Sequence, residues 1–171
     1  MYVIRERIFD IGDDFDITDD DGRTVFHVDG KALSLRDRLV IEDLTGREVA
    51  SVHRRLIALR RTYRIEIGGE EAGELRKKLF TPFRDSFTID VPGPDDLTMH
   101  GNLLDHEYEV ERDGHRVARV SKKWLSFRDT YAVDVEPEEN DVLVLAAVLA
   151  VDLAQAAEEK AKSENDDEGR R

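Results

Sequence analysis

A block of twenty-odd residues recurs along this chain, and a recurring block of that length is normally one supersecondary unit that buries its apolar face only against its neighbours. The segment GHRVARVSKKWLSFRDTYAVDV, beginning at Gly114, overlays GREVASVHRRLIALRRTYRIEI from Gly46 without a gap. A third copy, KKLFTPFRDSFTIDV, ends at Val91 with one inserted residue. Weaker copies start at Ile11 (IGDDFDITD), Leu35 (LRDRLVIED) and Leu104 (LDHEYEVER). Anchored on Ile11, Leu35, Leu59, Phe83, Leu104 and Phe127, the unit returns six times at intervals of 21 to 24 residues.

Within each copy apolar residues alternate with polar ones. Leu59, Tyr63, Ile65 and Ile67 share one parity, as do Phe83, Phe87, Ile89 and Val91, and Phe127, Tyr131, Val133 and Val135. A period of two in aromatic and β-branched residues marks a half-buried strand. Turn pairs follow at Asp21-Gly22, Thr45-Gly46, Gly68-Gly69 and Asp113-Gly114, each of a kind that closes a hairpin. Second short strands come next, at Val25 to Val28, Val49 to Val52 and Val117 to Val120. Six hairpins give about twelve antiparallel strands. A sheet of that size loses its edges by closing into a barrel.

The tail has another character. Pro137, Glu138, Glu139, Asn140 and Asp141 form a helix-start signature before VLVLAAVLAVDLAQAAEEKAK. The stretch Val142 to Val151 is apolar on all sides, which demands burial all round. A twelve-stranded barrel has an interior wider than its own side chains fill, so a central helix from Val142 to about Ala157 answers both needs. Ten apolar residues are about half of what a membrane-spanning helix requires. The expected organisation is one barrel domain over residues 1–162 and a disordered acidic, polar tail over 163–171.

These segments resemble the LURP-one-related family. The resemblance rests on IFDIGDDFDITDDDG from Ile8, FHVDGKALSLRD from Phe26, and the LFTPFRDSFTID, GNLLDHEYEVERDG and VSKKWLSFRDTYAVDV stretches, and covers Met1 to about Asp152. It implies the Tubby C-terminal-like fold shared with phospholipid scramblases, a twelve-stranded closed barrel around a hydrophobic C-terminal helix. It implies no established activity for prokaryotic members. The lipid-binding motif of Tubby domains has no match here, so no site is carried over.

Charge decides which partners remain open. The chain carries a net charge of -13, which opposes general binding to a phosphate backbone and argues against nucleic acid. A high-salt habitat explains such acidity equally well. The sign is unevenly spread: Arg54 to Arg84 holds nine basic and four acidic residues, leaving the remainder at -18. The doublets Arg54-Arg55, Lys77-Lys78 and Lys122-Lys123 occupy equivalent places before the next unit, whereas acidic residues gather at the turns. In an up-and-down barrel these are opposite rims. The six basic residues are the candidate site for anionic lipid headgroups or phosphate; pairing with nearby carboxylates is the competing reading. Trp124 and Phe80 beside the doublets suit either an interface or a buried plug.

Catalytic signals are absent from the sequence. Zero cysteines remove a thiol nucleophile and a disulfide framework. His27, His53, His100, His106 and His115 show no metal spacing, and no serine lies in a nucleophile elbow. Asp105-His106 with His100 nearby is the one base-and-orienter arrangement the sequence offers, against isolated strand or turn histidines. The third position of each unit (Asp13, Asp37, Arg61, Asp85, His106, Asp129) is charged although it shares the apolar parity. One such residue per hairpin is too scattered for a single cation, and no metal and no cofactor are expected. The expectation is a non-catalytic binding or scaffolding barrel, cytoplasmic, without a spanning segment, with peripheral membrane contact through its basic rim. A protein-interaction module using the acidic surface and an enzyme without sequence motifs are the alternatives.

Overall fold

The alternating segments are strands in the computed structural model, which describes residues 1–5, 14–30, 38–57, 60–77, 86–93, 95–122 and 130–168. In chain order they are β1 (Tyr2–Arg5), β2 (Phe15–Asp19), β3 (Thr24–Asp29), β4 (Arg38–Glu42), β5 (Glu48–Ile57) and β6 (Arg60–Ile67). Then come β7 (Glu70–Lys77), β8 (Ser86–Asp90), β9 (Leu97–Asn102), β10 (Glu107–Arg112), β11 (His115–Ser121) and β12 (Thr130–Val135). One helix, α1 (Asp141–Glu168), follows. Each strand pairs antiparallel with its neighbour in sequence, and β1 pairs with β12 to close a twelve-stranded barrel.

The closure shows what the repeat means. Five units are hairpins, from β2–β3 to β10–β11. The sixth is split between the two ends of the chain. After β12 the chain turns into α1, and β1 takes the place of the missing second strand through Tyr2↔Val133 to Arg5↔Thr130. The unit anchored on Phe127 is thus half a hairpin completed by the N-terminal strand. Each of the twelve strands has a neighbour on both sides, which blunts the template for edge-to-edge aggregation.

Turn residues set the register. Gly68-Gly69 and Asp113-Gly114 both have positive φ at each position, the geometry whose twist matches a two-residue hairpin. Asp19 to Arg23 and Asp43 to Arg47 share another turn, spelled D-x-x-G-R in both places. In each, the aspartate side chain accepts the arginine backbone N–H (2.8 and 3.1 Å), and the glycine alone of the pair has positive φ.

Inward parity carries the core. Ile17, Val52, Ile65, Ile89, Met99, Val110, Val120 and Val133 are completely buried against α1, whose residues Val144 to Val151 are also fully buried. Small residues let the helix approach the wall: Ala50 and Ala118 on strands face inward, and Ala146, Ala147 and Ala150 lie on α1. Gly73 in β7 instead leaves room for the neighbouring strand, since a Cβ there would sit 2.7 Å from Ile89 Cγ2. At the start of α1, Asn140 caps the Leu143 N–H (3.1 Å), as the sequence signature requires. The helix is continuous to Glu168, beyond the expected end near Ala157. Among the described residues no helix is long and apolar enough to cross a membrane.

Candidate functional site

The up-and-down wall gives the barrel two chemically distinct ends. At one lie the hairpin turns with Asp19–Asp21, Asp43, Glu70, Glu71, Asp95, Asp96 and Asp113, together with the start of α1. The other end carries the last residues of β5 and β7, the start of β10 and β12, and the part of α1 beyond Val151. These ends are called the turn end and the far end below.

At the turn end several charges are paired or capped. Arg112 donates twice to Glu139 (3.1 and 3.0 Å) and once to the Asp95 carbonyl (2.8 Å). Burial alone would raise the Glu139 pKa; the Arg112 hydrogen bonds, the Asn140 amide and the guanidinium charge outweigh it and hold the carboxyl below its usual range. The Tyr2 hydroxyl donates to Asp141, and burial, that hydrogen bond and the carboxylate charge push it up to about 12. Asp43 is lowered to about 2, first by the Thr45 hydroxyl and then by the backbone amides and guanidinium of its turn. Much of the turn-end acidity therefore serves as local capping.

Beneath the far end lies a buried polar cluster. Asp152 is 4% exposed within α1, where its Oδ1 lies 3.1 Å from His106 Nε2 and its Oδ2 accepts the Tyr131 hydroxyl. A carboxylate only accepts, so Nε2 carries the proton of that pair. The His106 ring also stacks on Tyr131 at 4.1 Å. Tyr108 completes the surroundings: its hydroxyl is pushed well above the ordinary range by burial and then by the charge of Asp152. At the next residue of α1, the Leu153 carbonyl accepts the Tyr63 hydroxyl at 3.2 Å. His106 sits at φ +51, a strained conformation for a residue with a side chain, of the kind that persists only where the surroundings enforce it.

This arrangement corrects the reading of Asp105-His106 as a pair. The Asp105 carboxylate accepts Asn102 Nδ2 at 2.6 Å, and the partner of His106 lies 46 residues away on the helix. Asp152, which begins the polar continuation of the helix by sequence, is instead inside the barrel. Its signal was present: it is the one charged residue between Asp141 and Glu158. The dyad ties the turn before β10, and with Tyr131 the strand β12, to the helix.

The candidate basic residues fall on the far end in part. Arg54 and Arg55 lie in the second half of β5, Lys77 is the last residue of β7, and Lys122 follows β11 directly. Lys78 and Lys123 lie outside the described residues, as do Phe80, Trp124, Asp13, Asp37, Asp85 and Asp129. The doublet on β5 does not present two side chains to one surface. Arg54 has the inward parity of Val52 and stands opposite Tyr63, half-buried, while Arg55 points outward and is exposed. The Lys122 backbone N–H donates to Glu107 (3.0 Å), which also accepts the Ser121 hydroxyl. Other cations of the basic stretch are paired on the outer wall: Arg64 with Glu71 at 3.1 Å, and Arg76 with Asp90 at 2.8 Å. A cleft of about 620 Å³ also opens where β1 and β2 part, lined by Val3, Asp16, Thr18, His27 and Thr130.

The profile of the family described as LURP-one-related matches residues 1–152. The chain belongs to the LURP-one-related family. The uncharacterized protein YxjI of Bacillus subtilis (strain 168) is 34% identical over 149 residues, covering 86% of this chain and 88% of that one. The X-ray structure of an Arabidopsis thaliana protein matches with a TM-score of 0.65 at 18% identity, covering 91% of this chain and 90% of that one. That likeness concerns the fold. The family match ends at Asp152, the residue that ties the helix of this LURP-one-related barrel to its wall.

Proposed function

We propose that this LURP-one-related barrel is a non-catalytic binding protein whose far end takes phosphate-bearing anions, either as lipid headgroups at a membrane surface or as free phosphate compounds. The observation that carries the reading is the collection of Arg54, Arg55, Lys77 and Lys122 toward one end of the barrel, remote from the acidic turns. Lys78 and Lys123 extend the set by sequence. The acidic turns lie at the opposite end, while Asp105, Glu107 and the acidic last turns of α1 share the far end with these cations, within a net charge of -13. The twelve residues from Val142 to Leu153 separate the ends by about 18 Å at the rise of an α-helix, roughly two Debye lengths at physiological ionic strength. Repulsion from the turn end is therefore largely screened at the far end. Each basic residue near an anionic surface adds about 1 kcal/mol, so four to six suffice for reversible peripheral contact. The setting of this reading is the cytoplasmic face of a membrane.

Co-sedimentation with phosphatidylcholine vesicles, with and without phosphatidylserine, tests it across a salt series. Binding to the anionic vesicles alone, weakened by salt and lost in a K77E/K78E/K122E/K123E variant, supports the lipid source. Absence of vesicle binding, together with binding of inorganic polyphosphate that the same variant loses, supports the free source. No binding of either probe at low salt contradicts the proposal and favours a protein partner on the acidic turn end.

A further inference from the structure

Three histidines on the outer wall stand against carboxylates of neighbouring strands: His27 against Asp16 at 2.6 Å, His53 against Glu66 at 3.1 Å, and His100 against Glu111 at 3.3 Å. They differ in what else reaches the imidazole. His53 Nε2 also receives the Arg38 Nε–H at 3.2 Å, so a guanidinium occupies the approach a cation would need. Asp16 beside His27 is shared with the Thr24 hydroxyl, and both members of that pair are about half exposed. At His100 a second carboxylate arrives. Ligand atoms of His100, Glu109 and Glu111 all lie within 4.8 Å of one another, the one such trio among the described residues.

Strand register makes the trio. His100 on β9 stands opposite Glu109 on β10, and both face outward because Met99, Tyr108 and Val110 face the core. Glu111, two residues on, returns to the same face. A register shift between Val110 and Glu111 on the β11 side marks a bulge, which re-aims a side chain. The three side chains are only about one-third exposed. Two carboxylates this close repel each other; Arg116 lies 3.6 Å from Glu109 and is shared with Glu136 at 3.6 Å, and Arg119 stands opposite Glu109 in the register.

We infer that His100, Glu109 and Glu111 form a site for a divalent transition-metal ion of the zinc class. One imidazole nitrogen and two carboxylate oxygens are a donor set that Zn²⁺ accepts, with water in the fourth position of a tetrahedron. Calcium is poorly served, since it takes six to eight oxygen ligands. Bringing the three donors to zinc bond lengths needs side-chain rotation on strands that a closed barrel already fixes. Sequence spacing could not reveal the site, because its histidine and glutamates meet across a strand pair rather than along one element. The inference stands apart from the anion-binding reading, since it concerns the outer wall.

Calorimetric titration of the chelator-treated full chain with Zn²⁺, and with Mg²⁺ for comparison, tests it. The expected result is one Zn²⁺ per chain, a melting temperature that rises with Zn²⁺, and little response to Mg²⁺. H100A and E111Q are each expected to weaken Zn²⁺ at least about tenfold, while D16N at the His27 pair leaves it unchanged. E111Q keeps the size of the side chain and carries the test if H100A does not fold. No stoichiometric Zn²⁺ binding overturns the inference, and so does Zn²⁺ binding that is undiminished in both variants.

Discussion

At the turn end, short hairpins hold their own charges: Asp19 and Asp43 cap their turns, and Arg112 clamps Glu139 where α1 begins. Beneath the far end the polar groups are taken out of water, and a single carboxylate from the helix holds a histidine from the turn before β10 and a tyrosine from β12. The difference lies in how a local error would spread. A lost contact at the turn end leaves groups that water can reach. A lost partner in the far-end cluster leaves a buried polar group unsatisfied, which costs far more than the hydrogen bond itself contributes.

Asp152→Ala is therefore the strongest way to break the comparison. It removes the partner of both His106 and Tyr131, and a cost of about 3–5 kcal/mol is expected, read from urea denaturation. A cost below about 1 kcal/mol, the range of exposed pairs, would mean that the cluster is wet and the two ends are energetically alike. Gly73→Ala comes next, because its Cβ would meet Ile89 on the inner wall. About 1–3 kcal/mol is expected for overpacking there.

The turn end gives smaller effects. Asn140→Ala removes the cap of α1 and should cost about 1 kcal/mol. Glu139→Gln sharpens the comparison through pH. The folded-state pKa of Glu139 is lowered, so its stabilisation is present above the ordinary carboxyl range and is lost as pH falls through the lowered value. The variant should flatten the acid limb of the stability profile at that point, as thermal melts at stepped pH would show. Lys122→Glu, at the smallest end, should change stability by no more than about 0.5 kcal/mol, because its proposed importance is in binding.

The barrel was legible in the sequence because a half-buried strand leaves a period of two, and Gly68-Gly69 and Asp113-Gly114 spell their own turns. The central helix was legible because Val142 to Val151 has no polar face to give to water. Closure by β1 was not, since a four-residue strand carries too little alternation to mark its partner. The cluster was hidden for another reason: His106 and Asp152 come together only when the helix is threaded through the wall. Asp105 stood nearer in sequence, and its carboxylate turned to Asn102 instead. The basic doublets were visible as composition, but the pleat separates Arg54 from Arg55, which charge counting alone does not resolve.

The central claim is that the two ends differ in what they bind, and amide chemical-shift mapping tests it most directly. Glycerophosphoserine, a soluble headgroup, would be titrated into the ¹⁵N-labelled chain. The account predicts saturable shifts at Arg54, Arg55, Lys77 and Lys122, with Gly22, Gly46 and Gly114 at the turn end unmoved. Shifts confined to the turn end, or no shifts at low salt, would contradict it.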